Sequence, residues 1–137
     1  MKREIEFRGL THDTKEWKYG YYAKTKLTEE TISLGDARIH DIIIENGTMW
    51  HITGGTQGQY TGSKCIDGNR IYEGDLIRVE LDPVFNEEPF IGIVTFLDGR
   101  YFIFNEKRQL VEDVFNKVPT HKVLGNIHTH PHLLEAN

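Results

Sequence analysis

A run of glycine-marked bends feeding an alternating stretch, residues 57–81, constrains this chain more than any other part of it. Gly58 and Gly62 bracket Gln59-Tyr60-Thr61, a spacing that suits a tight bend around an anchored aromatic. Asp67-Gly68 is a turn dipeptide, because glycine reaches positive φ without a Cβ penalty. Glu73-Gly74-Asp75 is a second bend. Ile77, Val79 and Leu81 then alternate with Arg78 and Glu80, the period-two signature of a strand with one wet face. Such a stretch folds as pleated sheet, and the rest of the chain reads as strands arranged about it.

Upstream, residues 3–9 read as a first strand, with Ile5 and Phe7 on one side and Glu4, Glu6 and Arg8 on the other. Trp17 to Ala23 is aromatic-rich and reads as the returning strand of a hairpin. Leu27-Thr28-Glu29-Glu30 suits one helical turn, and Thr31 to Leu34 a short strand. Residues 38–45 run into Asn46-Gly47 and then 48–52. Asn-Gly between strand-like runs is a hairpin signal, because both central positions of a type I′ turn need positive φ. A two-residue loop sets Ile44 opposite Met49 and Ile42 opposite His51, with Ile43 and Trp50 on the other side.

Downstream, residues 82–89 read as a loop, since proline removes ladder donors and Asn86-Glu87-Glu88 is polar. Residues 90–97, Asp98-Gly99 and 100–104 form a second hairpin. Phe90, Val94, Phe96, Tyr101 and Ile103 share one face; Ile93, Leu97, Phe102 and Phe104 share the other. A hairpin apolar on both faces must be covered twice, by its own core and by another module or subunit. Glu106 to Val118 reads as a helix, because Leu110, Val111, Val114 and Phe115 fit a helical stripe and Pro119 ends it. Residues 121–128 read as the last strand.

These elements predict a mainly β fold, with an N-terminal sheet of hairpins, a small SH3-like C-terminal barrel and at most one short helix. The boundary is expected near Thr53 to Thr56, dividing an N-terminal β module (1–56) from a C-terminal barrel module (57–137). The 137 residues are 38% hydrophobic and 27% charged, as in an ordinary soluble domain. The net charge of −5 argues against nucleic acid as the default partner. Residues 1–26 nevertheless hold seven Lys or Arg against four acids. The single cysteine, Cys65, cannot form an internal disulfide and agrees with a reducing compartment. No apolar run approaches the ~20 residues of a membrane helix. The acids at Glu4 and Glu6 interrupt any signal-peptide core. A cytoplasmic protein that makes no membrane contact is the expectation.

Gly58-Gln59-Tyr60-Thr61-Gly62, then Asp67-Gly68, then Ile71-Tyr72-Glu73-Gly74-Asp75 resemble the signature of the YopX family, small proteins of phages and prophages of Gram-positive bacteria. The opening Arg3 to Gly9 with Trp17, Tyr19 and Gly20 is similar to the family's start. Val123-Leu124-Gly125-Asn126-Ile127, followed by Pro131 and Leu133-Leu134, is similar to its end. The resemblance implies a compact, mostly β, self-associating protein in a bacterial host cell, with a phage or host protein as partner and no assigned activity.

Candidate chemistry is sparse. In His128-Thr129-His130-Pro131-His132 the three imidazoles share a face of an extended chain and could converge on zinc, with His51 or Asp41 completing the shell. The alternative is an exposed histidine-rich tail, and the YopX pattern has other residues at the positions of His130 and His132. Ser63 lacks the second glycine of a nucleophile elbow. Lys64 beside Cys65 would lower a thiolate pKa, although a small loop residue is the commoner reading. Glu73 and Asp75 could act as an acid–base pair if one were desolvated. An Asp before a strand more often accepts backbone N–H bonds. Gly54 to Gly58 lacks the P-loop spacing. Tyr19, Tyr21, Tyr22, Phe102 and Phe104 suit stacking on single-stranded nucleic acid or simple burial.

Taken together, the motif residues Gly58, Tyr60, Gly62, Asp67, Gly68, Tyr72, Glu73, Gly74 and Asp75 are expected to secure conformation. The chain is expected to be a non-enzyme without a cofactor that works by self-association or protein binding. A single-stranded nucleic-acid binder and a metal-dependent enzyme using the histidine tail are the alternatives.

Overall fold

The computed structural model describes residues 4–26, 39–80, 88–116 and 120–135. The expected features at 27–34 and most of the loop at 82–89 fall outside these residues. The described chain is mainly β, and it divides into two compact units, Met1–Gln59 and Tyr60–Asn137. The division falls inside a strand, a few residues beyond the turn-rich stretch at 53–56.

The first unit contains β1 (Phe7–Leu10), β2 (Trp17–Lys26), β3 (Ile39–Glu45) and β4 (Thr48–His51), in the order β4-β3-β2-β1. All pairs are antiparallel. The first strand begins at Phe7, later than residue 3, and the second runs on to Lys26. Asn46 and Gly47 have φ of 49° and 83°, as a type I′ turn requires. The turn sets Ile44 opposite Met49, Ile43 opposite Trp50 and Ile42 opposite His51. Leu10, Ile42, Ile43 and Ile52 are buried and form the apolar interior of this unit. The chain after β4 folds back along β1 through Thr53 N–H to Leu10 O at 2.8 Å. Thr56 Oγ1 then accepts Leu10 N–H at 3.1 Å. At Gly20 a Cβ would lie 2.0 Å from the carbonyl oxygen of Ile44, so β2 passes β3 at a distance that excludes any side chain.

The next strand, β5 (Gly58–Lys64), carries the division: Gly58 and Gln59 pair with β1, while Tyr60 and Lys64 pair with β6 (Arg70–Tyr72) in the second unit. The second unit then holds β7 (Asp75–Glu80), β8 (Phe90–Leu97), β9 (Arg100–Asn105), β10 (Leu110–Asp113), β11 (Thr120–Asn126) and a single turn of helix, α1 (His132–Glu135). The sheet order is β10-β9-β8-β7-β11. A meander whose last strand returns beside its first is consistent with the SH3-like expectation. Ile71, Ile77, Val79, Phe90, Val94, Tyr101, Ile103 and Val114 form one buried cluster, to which Cys65 also belongs.

The helix expected over 106–118 is instead a turn followed by β10. Gln109 sits at φ 53°, a left-handed value that a right-handed helix cannot continue through. Asn105 Oδ1 accepts Arg108 N–H at 2.9 Å and closes the turn. Pairing Val111 with Phe104 and Glu112 with Ile103 then buries Val114 in the core. Four apolar residues in a short window satisfy a helical stripe and a strand equally, and tertiary pairing decides.

Replacing Gly20 by alanine should destabilise the first unit by about 3 kcal/mol or more, because the obstructing atom is backbone and cannot turn aside. Thermal unfolding followed by circular dichroism measures this; an unchanged melt would contradict the close approach of β2 and β3.

Candidate functional site

The turn between β6 and β7 is a structural joint. The Asp75 carboxylate is 1% exposed, and its Oδ2 accepts Tyr72 N–H at 2.8 Å. Gly74, at φ 86°, donates N–H to Val94 O and accepts from Ile127 N–H, both at 2.9 Å. The turn thus ties β8 and the end of β11 together. Glu73 is only half-buried, so the two carboxylates sit in unlike environments. Around Tyr60 the packing is aromatic and cationic: its ring lies 5.6 Å from Tyr72 and 4.7 Å from the Arg70 guanidinium. Thr61 Oγ1 donates to Ile71 O at 2.8 Å and accepts Ser63 N–H at 3.1 Å. Asp67 accepts from the Cys65 thiol and from Asn69 N–H. Those bonds, the thiol's first, hold its carboxyl below the usual carboxylate range. Gly68 N–H closes the same turn onto Cys65 O at 2.9 Å.

The histidine segment turns where an extended chain was expected. Asn126 Oδ1 accepts His128 N–H and Thr129 N–H, both at 3.0 Å. His130 N–H returns to Asn126 O at 2.8 Å, and His130 Nδ1 accepts Asn126 N–H at 3.3 Å. The His130 ring lies over Gly125, where a Cβ would come within 2.6 Å of Nδ1. His132 opens α1, its ring 6.3 Å from that of His130. His51 and Asp41 belong to the first unit. Among the described residues, no three His, Cys, Asp or Glu side chains are grouped to hold a metal ion.

The first unit has a cleft of 770 Å³ lined by His12, His40, Asp41, Trp50, His51 and Thr53, among others. His40 and His51 meet edge to face at 5.3 Å. Asp41, which lines the cleft, accepts from Tyr22 OH. Burial and then this bond push the Tyr22 phenol up to about 12. The pair was not foreseen. Tyr22 stands opposite Ile43, two residues from Asp41, so the two are diagonal neighbours on one face. That register depends on the connection over 27–38, and no short-range signal specifies it. Arg8 stacks on Trp17 at 4.6 Å and Lys18 on Trp50 at 4.1 Å.

The second feature is the outer face of β8, β9 and β10. Cross-strand pairing puts Ile93, Phe104 and Val111 in one row, with Leu97 and Phe102 on the same side. The inner side carries Phe90, Val94, Tyr101 and Ile103, all buried. The hairpin is therefore apolar on both faces, as its alternation indicated. The end of the chain covers part of the outer face: Leu134 of α1 faces Ile93, Thr95 and Phe104 across an apolar groove of 480 Å³. Leu97, Val111 and Phe104 remain 58%, 59% and 37% exposed. No helix among the described residues is long and apolar enough to cross a membrane.

Tyr22 allows a pH test. Its folded value lies above the unfolded 10.0, so the stability it contributes is complete below pH 10 and is lost as pH rises through about 12. Tyr22→Phe should remove that alkaline loss and cost about 1 kcal/mol at neutral pH. Melting curves across the alkaline range would show both, and a variant with the same alkaline profile as the parent would refute the assignment.

Among curated proteins none matches this chain. Its fold is similar to that of the crystal structure of protein yopX from Bacillus subtilis, with a TM-score of 0.54 and 14% identity over 93% of this chain and 96% of that one. It is also similar to a crystal structure of a protein from Enterococcus faecalis, with a TM-score of 0.52 and 23% identity over 97% and 99% of the two chains. The family model described as YopX protein matches residues 6–135, nearly the whole length. A match of that extent places the chain in the YopX family.

Proposed function

We propose that this protein is non-enzymatic and works by self-association, through the outer face of β8, β9 and β10. The observation that carries the reading is the apolar row Ile93, Phe104 and Val111, which α1 covers only in part. An exposed row of this kind lowers its free energy by meeting another apolar surface. Burying Val111 and Leu97 as well would add about 1.5–3 kcal/mol for each side chain fully removed from water. A phage or host protein docked on the same face is the extension of this reading to other partners. The reduced Cys65 fits a setting in the cytoplasm of a bacterial host.

A second reading is single-stranded nucleic acid on the first unit, favoured by Tyr21, which is 70% exposed on β2 beside the less exposed Tyr19. Against it, Arg8 and Lys18 are stacked on tryptophans, and Lys18 also pairs with Glu16 at 3.4 Å. Cations used in this way contribute less to binding phosphate.

Light scattering at micromolar concentration should show a species larger than the monomer, and Leu97→Ser with Phe104→Ser should shift it toward monomer. A parent chain that stays monomeric throughout would refute the reading. Anisotropy with labelled oligonucleotides at low salt tests the second reading, and flat curves at tens of micromolar would dismiss it.

A further inference from the structure

We infer that the open edge of β10 pairs with the same edge of a second copy, antiparallel and centred on Val111. This rests on the self-association proposed above and adds an edge contact to it: joining two β10 edges extends the apolar outer face without covering it, so that face stays available to a second apolar surface. The strand is one of the two edges of the five-stranded sheet. Val114 N–H donates to Tyr101 O at 3.3 Å. With the register of β9 and β10, that bond turns the peptide groups of Leu110, Glu112 and Val114 toward β9 and those of Val111 and Asp113 outward.

Local groups already occupy most of that outward edge. Asp113 N–H is taken by Glu112 Oε1 at 3.0 Å, and Asp113 O by Asn116 N–H at 3.1 Å. Gln109 N–H folds back on Glu106 O at 3.3 Å. Val111 is left as the outward peptide unit of β10 that nothing among the described residues engages. Two such units facing each other exchange a pair of N–H···O bonds, the smallest complete antiparallel contact.

Two further observations set the same register and direction. Ile93, Phe104 and Val111 lie directly opposite one another on β8, β9 and β10. Pairing Val111 with its counterpart joins this row to its two-fold copy, giving six apolar side chains across one continuous face. The charges select antiparallel pairing. Lys107 and Arg108 precede the strand, Arg108 already paired with Glu88 at 3.7 Å, and Glu112 and Asp113 end it. Antiparallel pairing brings the basic end of each copy to the acidic end of the other, whereas parallel pairing would set like charges together. A two-fold axis normal to the sheet closes the contact and leaves neither β10 edge open. A four-residue edge is a small interface, so the association is weak and depends on concentration.

Sedimentation velocity on the full chain over a range of micromolar concentrations tests this. The parent should show a monomer–dimer equilibrium. Val111→Pro deletes an N–H that points away from β9, so the monomer keeps its own ladder while dimerisation weakens by at least about tenfold. Should Val111→Pro not fold, Val111→Lys serves instead, because the two-fold axis sets its ammonium groups opposite each other. Lys107→Glu should weaken dimerisation at low salt, with the difference shrinking as salt rises. A folded Val111 variant that dimerises like the parent would overturn the edge pairing and leave self-association standing. A parent that remains monomeric, or that binds only a different protein through this edge, would overturn the inference. Only the monomeric outcome at every concentration would also remove the self-association reading.

Discussion

The buried bond between the Asp75 carboxylate and the Tyr72 amide is the constraint on which the second unit depends. It closes the turn at the entrance to β7, and with Asp75 1% exposed the closure is shielded from water. Gly74 inside that turn exchanges backbone bonds with Val94 and Ile127, so one bend aligns strands distant in sequence. Once β7 enters in this register, Ile77 and Val79 point inward and meet Phe90, Val94 and Ile103. The same alignment turns Ile93, Phe104 and Val111 outward. The carboxylate's bond to its own chain three residues back holds the turn closed.

The two units solve the problem of the second sheet face differently. In the first, the chain after β4 crosses back along β1, and Ile52 is buried against Gly9, where a Cβ would come within 2.5 Å of its side chain. In the second, one helical turn at the end of the chain lays Leu134 over part of the outer face. Asn126 launches that turn by gathering three donors on its side-chain oxygen. The histidine segment thus forms a chain reversal closed by its own hydrogen bonds. His130 presents Nδ1 to the backbone of Asn126 and its ring to Gly125, so its position is set by packing at a chain reversal.

Much of the fold was legible because type I′ turns have a strict local requirement. Asn46-Gly47 and Asp98-Gly99 identify both hairpins and their registers, and the two faces of residues 90–104 follow from alternation alone. The stretch from 106 to 118 was misread because a short apolar run carries no decisive period. Gln109 in a left-handed conformation, which ends any helix there, has no strong sequence mark. The bond of Tyr22 to Asp41 was hidden for another reason, since it depends on a register between strands joined by a long connection.

What the amino-acid sequence determined by itself is the local geometry: where the chain bends, which residues alternate, and that sheet rather than helix dominates. Those outcomes depend on φ preferences and side-chain period, which act over a few residues. Tertiary structure alone decided which strands lie at an edge, how far the last helical turn reaches, and which outward peptide group is left unengaged among the described residues. Those outcomes depend on contacts between distant residues, where small differences in packing and hydrogen bonding select one pairing among several that the local pattern allows.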